Sequence, residues 1–427
     1  MPRLDRTSTH RAAPAPVRAV HLGLGAFHRA HQAVYTMVDP EWGIAAYTFR
    51  STTLPRQLTE QEGLYTVQTH GEDGPRVQVV DSISRAHPGG DHEQWLADLS
   101  SPEMALVTLT ITEAAYHVST PLDGTALGKL LAGLQERHRT GGAPLALVPC
   151  DNLPGNGGVL RAALLAAASD ATPEFRTWLS EHVSFVDTVV DRITPATTDA
   201  ALATVARELG VHDQVPVVTE PFSEWLLRGR FPQGRPRWEQ SGARFVDDLD
   251  AYEQRKLWFL NGAHTLLAYT GPALGCTTID EAVRHPRLEA WMESWWDTAE
   301  CHAELPGDEL RDYRGKLRER FASRGIRHRL LQIAADGSQK IPARILPVLR
   351  AERALGRMPA SAVAALAGWV IHLRTQDVRD PDAEKLTALA HSDEAVLHLL
   401  GALSPELADD RELVTAVEER RSDLETG

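Results

Sequence analysis

The sequence predicts an α/β protein: a Rossmann-type doubly wound parallel sheet followed by an all-helical C-terminal domain. Three observations carry this. Short β-branched and aliphatic runs alternate with helical segments up to about residue 250. Beyond that point Ala, Leu, Arg and Glu at helical spacing take over. Between the first strand and the first helix stands Gly23-x-Gly25, a turn of the kind that cradles a pyrophosphate.

The elements follow in order. Val17–Leu22 enters the glycine turn, and 30–37 reads as the helix after it. Later strand-like runs are 44–49, 106–111, 145–150 and 215–219, with helices over 125–139 and 158–168 between them. Residues 77–83, after a Gly-bearing turn, read as an inserted hairpin strand. Amphipathic spacing then marks helices over 251–269, 308–322, 340–355 and 361–373. The organisation expected is a flexible N-terminal arm (1–16), a dinucleotide-binding domain (17–249) and a helical substrate-binding and catalytic domain (250–427).

Composition narrows the function classes. With 44 basic and 58 acidic side chains the net charge is −14, which disfavours a nucleic-acid partner but permits a local basic pocket. Nothing approaches a membrane-spanning apolar run, and residues 1–16 lack the apolar core of a secretion signal. The three cysteines, Cys150, Cys276 and Cys301, form no CxxC and no disulfide framework. A reduced, cytoplasmic setting is expected.

The chemistry-bearing residues each have a bland alternative. In the glycine turn, Gly23 permits the tight bend and Gly25 lets a ligand approach the backbone, but His28 stands where a third glycine is usual. A plain strand–turn–helix is the competing reading. The second strand ends in Phe49-Arg50-Ser-Thr-Thr, with no carboxylate to select NAD, so Arg50 is either an adenine or 2′-phosphate contact or a solvated arginine. His28 and His31 lie three apart on one helix face, yet no HExxH or cysteine cluster accompanies them, and no metal is expected.

The most informative stretch is Tyr252 to His264, read as one helix. At about 100° per residue, Asn261 lies roughly 140°, His264 roughly 80° and Glu253 roughly 60° from Lys256. An acid, an amine, an amide and an imidazole thus share a broad arc. A desolvated lysine can act as a base, an asparagine amide can stabilise an alkoxide, and a histidine can hold a hydroxyl. The alternative is a polar helix face with a solvated lysine. Cys150-Asp-Asn-Leu-Pro-Gly-Asn follows a strand, so Asn152 or Asn156 would face a cofactor unless the segment merely builds a turn. Asp191 and Arg192 suggest a mutual ion pair. Lys340 and Arg344, four apart after Asp336-Gly337, mildly repel and suit an anionic or polyhydroxyl ligand.

Taken together these blocks resemble the mannitol dehydrogenase family of polyol-specific long-chain dehydrogenases, which includes mannonate oxidoreductases. The matching stretches are HLGLGAFHRAHQAVYT, TLTITEAAYH, CDNLPGNG, VDRITPAT, VVTEPFSEWL, YEQRKLWFLNGAH and QIAADGSQKIPAR, spanning residues 21 to 344 in order. The resemblance implies metal-free hydride transfer with NAD(H), NADP remaining open, at a site between the two domains. It implies Lys256 as general base, Asn152 and Asn261 as the oxyanion pair, His264 as a substrate-positioning residue, and Glu253 as a proton relay to water. Asp191 and Lys340 match substrate positions. Gly23, Gly25, Ala26 and the Phe27-His28-Arg29 turn match the pyrophosphate loop, and Thr112 and Glu113 lie in the block near the nicotinamide. One departure bears on substrate. Mannitol-specific members carry an arginine eight residues before the lysine of the DGS-x-K block, where this chain has Gln332. With Arg344 able to meet a carboxylate bidentately, the expectation leans to D-mannonate/D-fructuronate. Mannitol 2-dehydrogenase or mannitol-1-phosphate 5-dehydrogenase activity is the alternative. A non-catalytic NAD(H)-binding regulator and a histidine-based metallohydrolase are the rivals from other classes. The expected partner is a small polyol or sugar acid, with the protein a monomer or homodimer.

Overall fold

Six short strands build the main sheet: β1 (Val17–Leu22), β2 (Gly43–Tyr47), β3 (Ile83–His87), β4 (Leu106–Leu109), β5 (Leu145–Pro149) and β6 (Val183–Phe185). They lie in the order β3-β2-β1-β4-β5-β6, every pairing parallel. Every residue of β2, β4 and β5 is buried, as a sheet covered on both faces requires. Alternation decides which face each side chain serves. Val20, Leu22, Val107 and Leu109 pack with Trp95, Leu127 and Leu130, whereas Ala19, Ile44, Leu106 and Val148 pack with Ala33, Trp225 and Trp238. The strand order reverses between β1 and β4, and ligands of such sheets bind beyond the strand ends at that point.

The computed structural model describes residues 1–71, 74–118, 121–323 and 328–426 and divides into two units, Met1–Asp250 and Ala251–Gly427. In the first unit several expected elements resolve differently. The run at 215–219 does not join the main sheet: Val217–Thr219 pairs in parallel with Tyr65–Gly71, which pairs antiparallel with Gly74–Val80. The expected strand over 77–83 is two pieces, the hairpin strand ending at Val80 and edge strand β3 beginning at Ile83. A third small sheet joins Asp187–Asp191, Glu224–Arg228 and Arg244–Phe245. The helix after the glycine turn starts earlier than expected, at Ala26, and breaks at His31 (φ −122°, ψ −93°) before Gln32–Thr36. Residues 1–16, expected as a flexible arm, pack back on the unit. Leu4 is buried against Leu64 and Val211. The Arg6 amide donates to Glu62 Oε2 at 2.7 Å, and its guanidinium reaches the carbonyls of Glu62 and Ala12.

Asp213 fastens the small sheet. Its carboxylate accepts from the Thr66 amide (2.6 Å), Thr66 Oγ1 (2.7 Å), Gln61 Nε2 (2.9 Å) and the Val215 amide (2.9 Å). Val215 in turn accepts from the Arg29 guanidinium, and Arg29 Nε donates to Gly25 O at 3.2 Å. The glycine turn is thereby tied to the second sheet.

The second unit is helical among its described residues. Ala263–Thr270 is buried throughout and packs on Ala360–Thr375, itself buried from Ser361 to Leu373. The expected helix over 340–355 is two, Gly337–Arg344 and Leu346–Ala354, parted at Ile345 with Pro342 and Pro347 beside the break. Gly337–Arg344 packs on both Lys256–Gly262 and Ala263–Thr270. Gly337 permits this: a Cβ there would stand 2.4 Å from Tyr269 Oη and 2.7 Å from Trp369 Nε1.

Replacing Asp213 by Ala strands four donors in a buried setting, and unfolding should become easier by about 3 kcal/mol. Urea denaturation of wild type and Asp213→Ala measures this. A midpoint change worth under ~1 kcal/mol at unchanged slope would show that the hub is dispensable.

Candidate active site

The glycine turn is shaped by what each glycine faces. Gly23 has φ +108°, and a Cβ there would lie 2.2 Å from Thr110 O, so both conformation and crowding exclude a side chain. Gly25 is extended (φ −141°), and its nearest neighbour to a Cβ would be 3.6 Å away. Protein packing does not demand glycine at 25. The open space on that side fits close approach of a ligand's phosphates, so these residues suit a dinucleotide.

His28 fills the place of the absent third glycine. Its ring stacks on His21 of β1, centroids 3.3 Å apart and 9° from parallel, and both imidazoles are fully buried. Thr110 Oγ1 donates to Gly23 O at 2.7 Å, so it accepts from His21 Nε2 (3.0 Å); Nδ1 then accepts from Thr108 Oγ1 (2.8 Å). Burial holds His21 neutral, its pKa pushed down to about 3, and holds His28 well below the ordinary imidazole range. Arg29 is buried too. Its side chain is committed to Gly25 and Val215, and its carbonyl accepts from Tyr65 Oη at 2.7 Å. The Arg29 amide also donates to Gly25 O, at 3.3 Å, so both the side chain and the backbone of Arg29 are engaged within the protein. Ala26 and Phe27 are half-buried at the helix start, and Phe27 stacks on His31. His31 Nε2 bonds Glu224 O at 2.9 Å and Nδ1 bonds Gln32 Nε2 at 3.1 Å, an interior role.

Around the strand ends, Arg50 is exposed beyond β2, and Thr112 and Glu113 are exposed beyond β4. The two asparagines after β5 part company. Asn156 is buried, donating to Pro149 O and Thr188 O and accepting from the Thr188 amide at 2.9 Å, so it is a structural clamp. Asn152 is exposed. Beside it, Asp151 receives a short bond from Tyr116 Oη, a pairing the sequence does not announce. Asp191 is buried at the end of its strand. Arg192 sends its guanidinium to the carbonyls of Ala30 and Glu220, where an ion pair with Asp191 was expected.

In the second unit the expected single helix is wound in three parts. Asp250–Arg255 is α-helical, Lys256–Gly262 is a π-helix, and Ala263–Thr270 is α-helical again. The 140° separation of Asn261 from Lys256 assumed α geometry throughout and is corrected by this. An i→i+5 ladder completes slightly more than one turn in five residues, which swings Asn261 toward the face of Lys256. π segments of this kind are frequent at functional sites. Glu253, Lys256 and Asn261 are half-buried, and His264 is buried.

His264 stacks on Phe321 at 4.6 Å and meets His328 edge-on at 5.4 Å. Burial, then His328, Arg320 and Arg344, hold it well below its ordinary pKa, so it is neutral at pH 7. His328 is lowered by burial, Arg320 and Lys340, and Lys340 by burial and then Arg344. Arg344, largely buried, is pushed down to about 10 and gives one donor to Thr265 Oγ1 at 3.3 Å. Lys340 bonds Ile333 O at 3.3 Å, with Asp336 Oδ2 at 3.6 Å. Positive charge is thus concentrated beside His264. Motif reading missed Arg320, Phe321 and His328, because no local pattern marks them.

Comparison with known proteins agrees with this architecture. Residues 17–240 match the mannitol dehydrogenase Rossmann domain and residues 248–424 the mannitol dehydrogenase C-terminal domain. The chain is 35% identical to the D-mannonate oxidoreductase of Escherichia coli, over 92% of this chain and 89% of that one. It is 31% identical to the mannitol 2-dehydrogenase of Phaeosphaeria nodorum, covering 95% and 79%. Its fold matches that of Pseudomonas fluorescens mannitol 2-dehydrogenase, solved with NAD and D-mannitol, with a TM-score of 0.82, 32% identity and coverage of 99% and 97%. The chain belongs to the mannitol dehydrogenase family of oxidoreductases.

Proposed function

We propose that this protein is an NAD-dependent dehydrogenase interconverting an aldonate and its keto sugar acid, D-mannonate and D-fructuronate being the favoured pair, with Lys256 as the base. The observation that carries the acid over a neutral polyol is the group of cations Lys340, Arg344 and Arg320 beside the imidazoles of His264 and His328. Each of His264, His328 and Lys340 has its charged form disfavoured by burial first and by cationic neighbours second. A substrate carboxylate relieves that repulsion, and Arg344 can bind it through two parallel N–H groups. Gln332, exposed where mannitol-specific members carry arginine, favours the same reading. A neutral polyol is the second reading, favoured by the likeness to the NAD- and D-mannitol-bound enzyme.

The turn at Gly23, Gly25, Ala26 and Phe27, with the backbone of His28, would hold the pyrophosphate of NAD. Arg50 would lie by the adenosine, and Thr112 and Glu113 by the nicotinamide. Bound NAD supplies the hydride acceptor. In the oxidative direction the neutral Lys256 amine takes the proton of the substrate secondary alcohol. The amides of Asn152 and Asn261 donate to the oxygen as negative charge develops on it, stabilisation worth about 10²–10³ in rate per donor. His264, neutral, bonds a neighbouring hydroxyl. Glu253 relays the proton from Lys256 toward water. Asp191 and Lys340 fix further hydroxyls, and Arg344 fixes the carboxylate. The reaction as drawn needs no metal.

Lys256→Ala should lower turnover by at least about 10³-fold, since a base and an electrostatic partner leave together, while NADH still binds. Near-normal turnover on a verified substrate would refute the assignment. Oxidation should also accelerate with rising pH as the lysine loses its proton, with no separate step from His264. A profile flat from about pH 6 to 10, with chemistry rate-limiting, would count against a lysine base. The substrate class is read by absorbance at the NADH band with mannonate, altronate, mannitol, arabinitol, sorbitol and mannitol 1-phosphate. Arg344→Met should raise KM for the acids by roughly 10- to 100-fold and leave neutral polyols nearly unchanged. Equal effects on both classes would remove the carboxylate clamp.

A further inference from the structure

The π winding of Lys256–Gly262 leaves main-chain groups without their α-helical partners. The Ala263 amide, which an α-helix would send to the Phe259 carbonyl, reaches Leu260 O. Two side chains on the neighbouring helix Pro286–Glu300 supply donors instead. Trp295 Nε1 donates to Trp258 O at 2.7 Å, and Trp296 Nε1 donates to Phe259 O at 2.8 Å. Both indoles are fully buried, so their N–H groups have no water as an alternative. Consecutive carbonyls on one element are thus met by consecutive tryptophans on the next.

Gly262 completes the fit. Its φ of −63° is ordinary helix, so conformation does not require glycine there. Space does: a Cβ would lie 2.7 Å from Trp295 Nε1 and 2.8 Å from Trp295 Cζ2. The indole can reach the Trp258 carbonyl only because residue 262 has no side chain. Side chains or waters that enter a helical ladder are an established way of changing its winding.

We propose that Trp295 and Trp296 are positioning residues of the reaction. Their paired indole N–H groups hold Lys256–Gly262 in the i→i+5 form and keep the Lys256 amine and the Asn261 amide on one face. The inference rests on the reading of Lys256 as the base. Removing either N–H while keeping the ring should let the segment relax toward α winding and turn Asn261 away. Small misplacements of reacting groups cost about 10²-fold in rate.

The test compares Trp295→Phe and Trp296→Phe with wild type and with Leu413→Ala, a core loss in the helix Arg411–Thr426 of the same unit. Lys256→Ala is measured first: if it keeps its rate, the base assignment fails and the clamp falls with it. If Lys256→Ala is inactive, the Phe variants decide the clamp alone. Expected for them is a fall in kcat of about 10- to 100-fold with KM for NAD within a few fold. The alkaline midpoint of the kcat profile should shift, and amide hydrogen exchange over 256–263 should quicken. Leu413→Ala should lower Tm with kcat and midpoint unchanged. Phe variants whose kcat, midpoint and local exchange match those of Leu413→Ala would overturn the proposal. Should a Phe variant be too unstable to assay, Gly262→Ala, whose methyl strikes the Trp295 ring, replaces it. The same loss of kcat, shifted midpoint and faster exchange then support the clamp, and a match to Leu413→Ala overturns it.

Discussion

A helix that takes an extra residue into one of its turns must find donors for the carbonyls it displaces. The segment Lys256–Gly262 is such a helix, and it carries the amine and the amide to which the proposed chemistry is assigned. An unpaired buried carbonyl costs on the order of 1–3 kcal/mol, so the π form persists only where something answers it. Here the answer comes from Trp295 and Trp296, and the bare Gly262 makes room for one of them. The helix Gly337–Arg344 then packs on the same segment, again through a glycine, Gly337, seated against Tyr269 and Trp369. Steric permission at two glycines thus sets how the polar residues of this unit are grouped.

The first unit solves a different problem. A Rossmann turn usually brings its helix close to the sheet by spending a glycine, and this chain puts an imidazole there. His28 is buried in its neutral form and lies flat on His21, whose own ring is locked between Thr108 and Thr110, but both His28 ring nitrogens lack a hydrogen-bond partner among the described residues and so carry a desolvation cost. Thr110 also holds the Gly23 carbonyl and crowds the Gly23 Cα, so the same residue fixes the turn and the histidine pair. Arg29 is drawn inward for similar reasons. It ties the turn to Val215 and through it to the Asp213 hub, so its charge is committed to protein carbonyls.

Much of this is legible in the sequence, for physical reasons that can be named. Fully buried parallel strands read as near-continuous apolar runs, so β2, β4 and β5 stand out, β1 is marked by the glycine turn that follows it, and the three-residue β6 carries too little pattern to see. The run at 215–219 looks identical to a core strand because hydrophobicity reports burial, not which sheet does the burying. Spacing finds Lys256, Asn261 and His264 but assumes 100° per residue, and no local propensity announces a π turn whose support comes from a separate helix, Pro286–Glu300. Asn152 and Asn156 are indistinguishable as turn formers; only the Thr188 contacts separate the structural amide from the exposed one. Arg320 and His328 are invisible because their meaning lies in what they surround.

The cation cluster and the proposed base belong to one electrostatic arrangement. Helix Gly337–Arg344, which carries Lys340 and Arg344, packs on the segment that begins with Lys256, and Lys340, His264 and His328 are depressed first by burial and then by cationic neighbours. Like charges held near one another favour the neutral form of whichever member gives up its proton most readily, and a guanidinium, even when burial lowers it to about 10, is not that member. Arginine therefore keeps its charge, which is the charge the proposed substrate carboxylate would meet. On the proposed reading, a substrate carboxylate on Arg344 would offset part of the positive charge that its neighbours feel. The proposed acid-binding arginine thus stands on a helix packed against the segment of the proposed base, and that adjacency is the physical reason the proposal favours an acid over a neutral polyol.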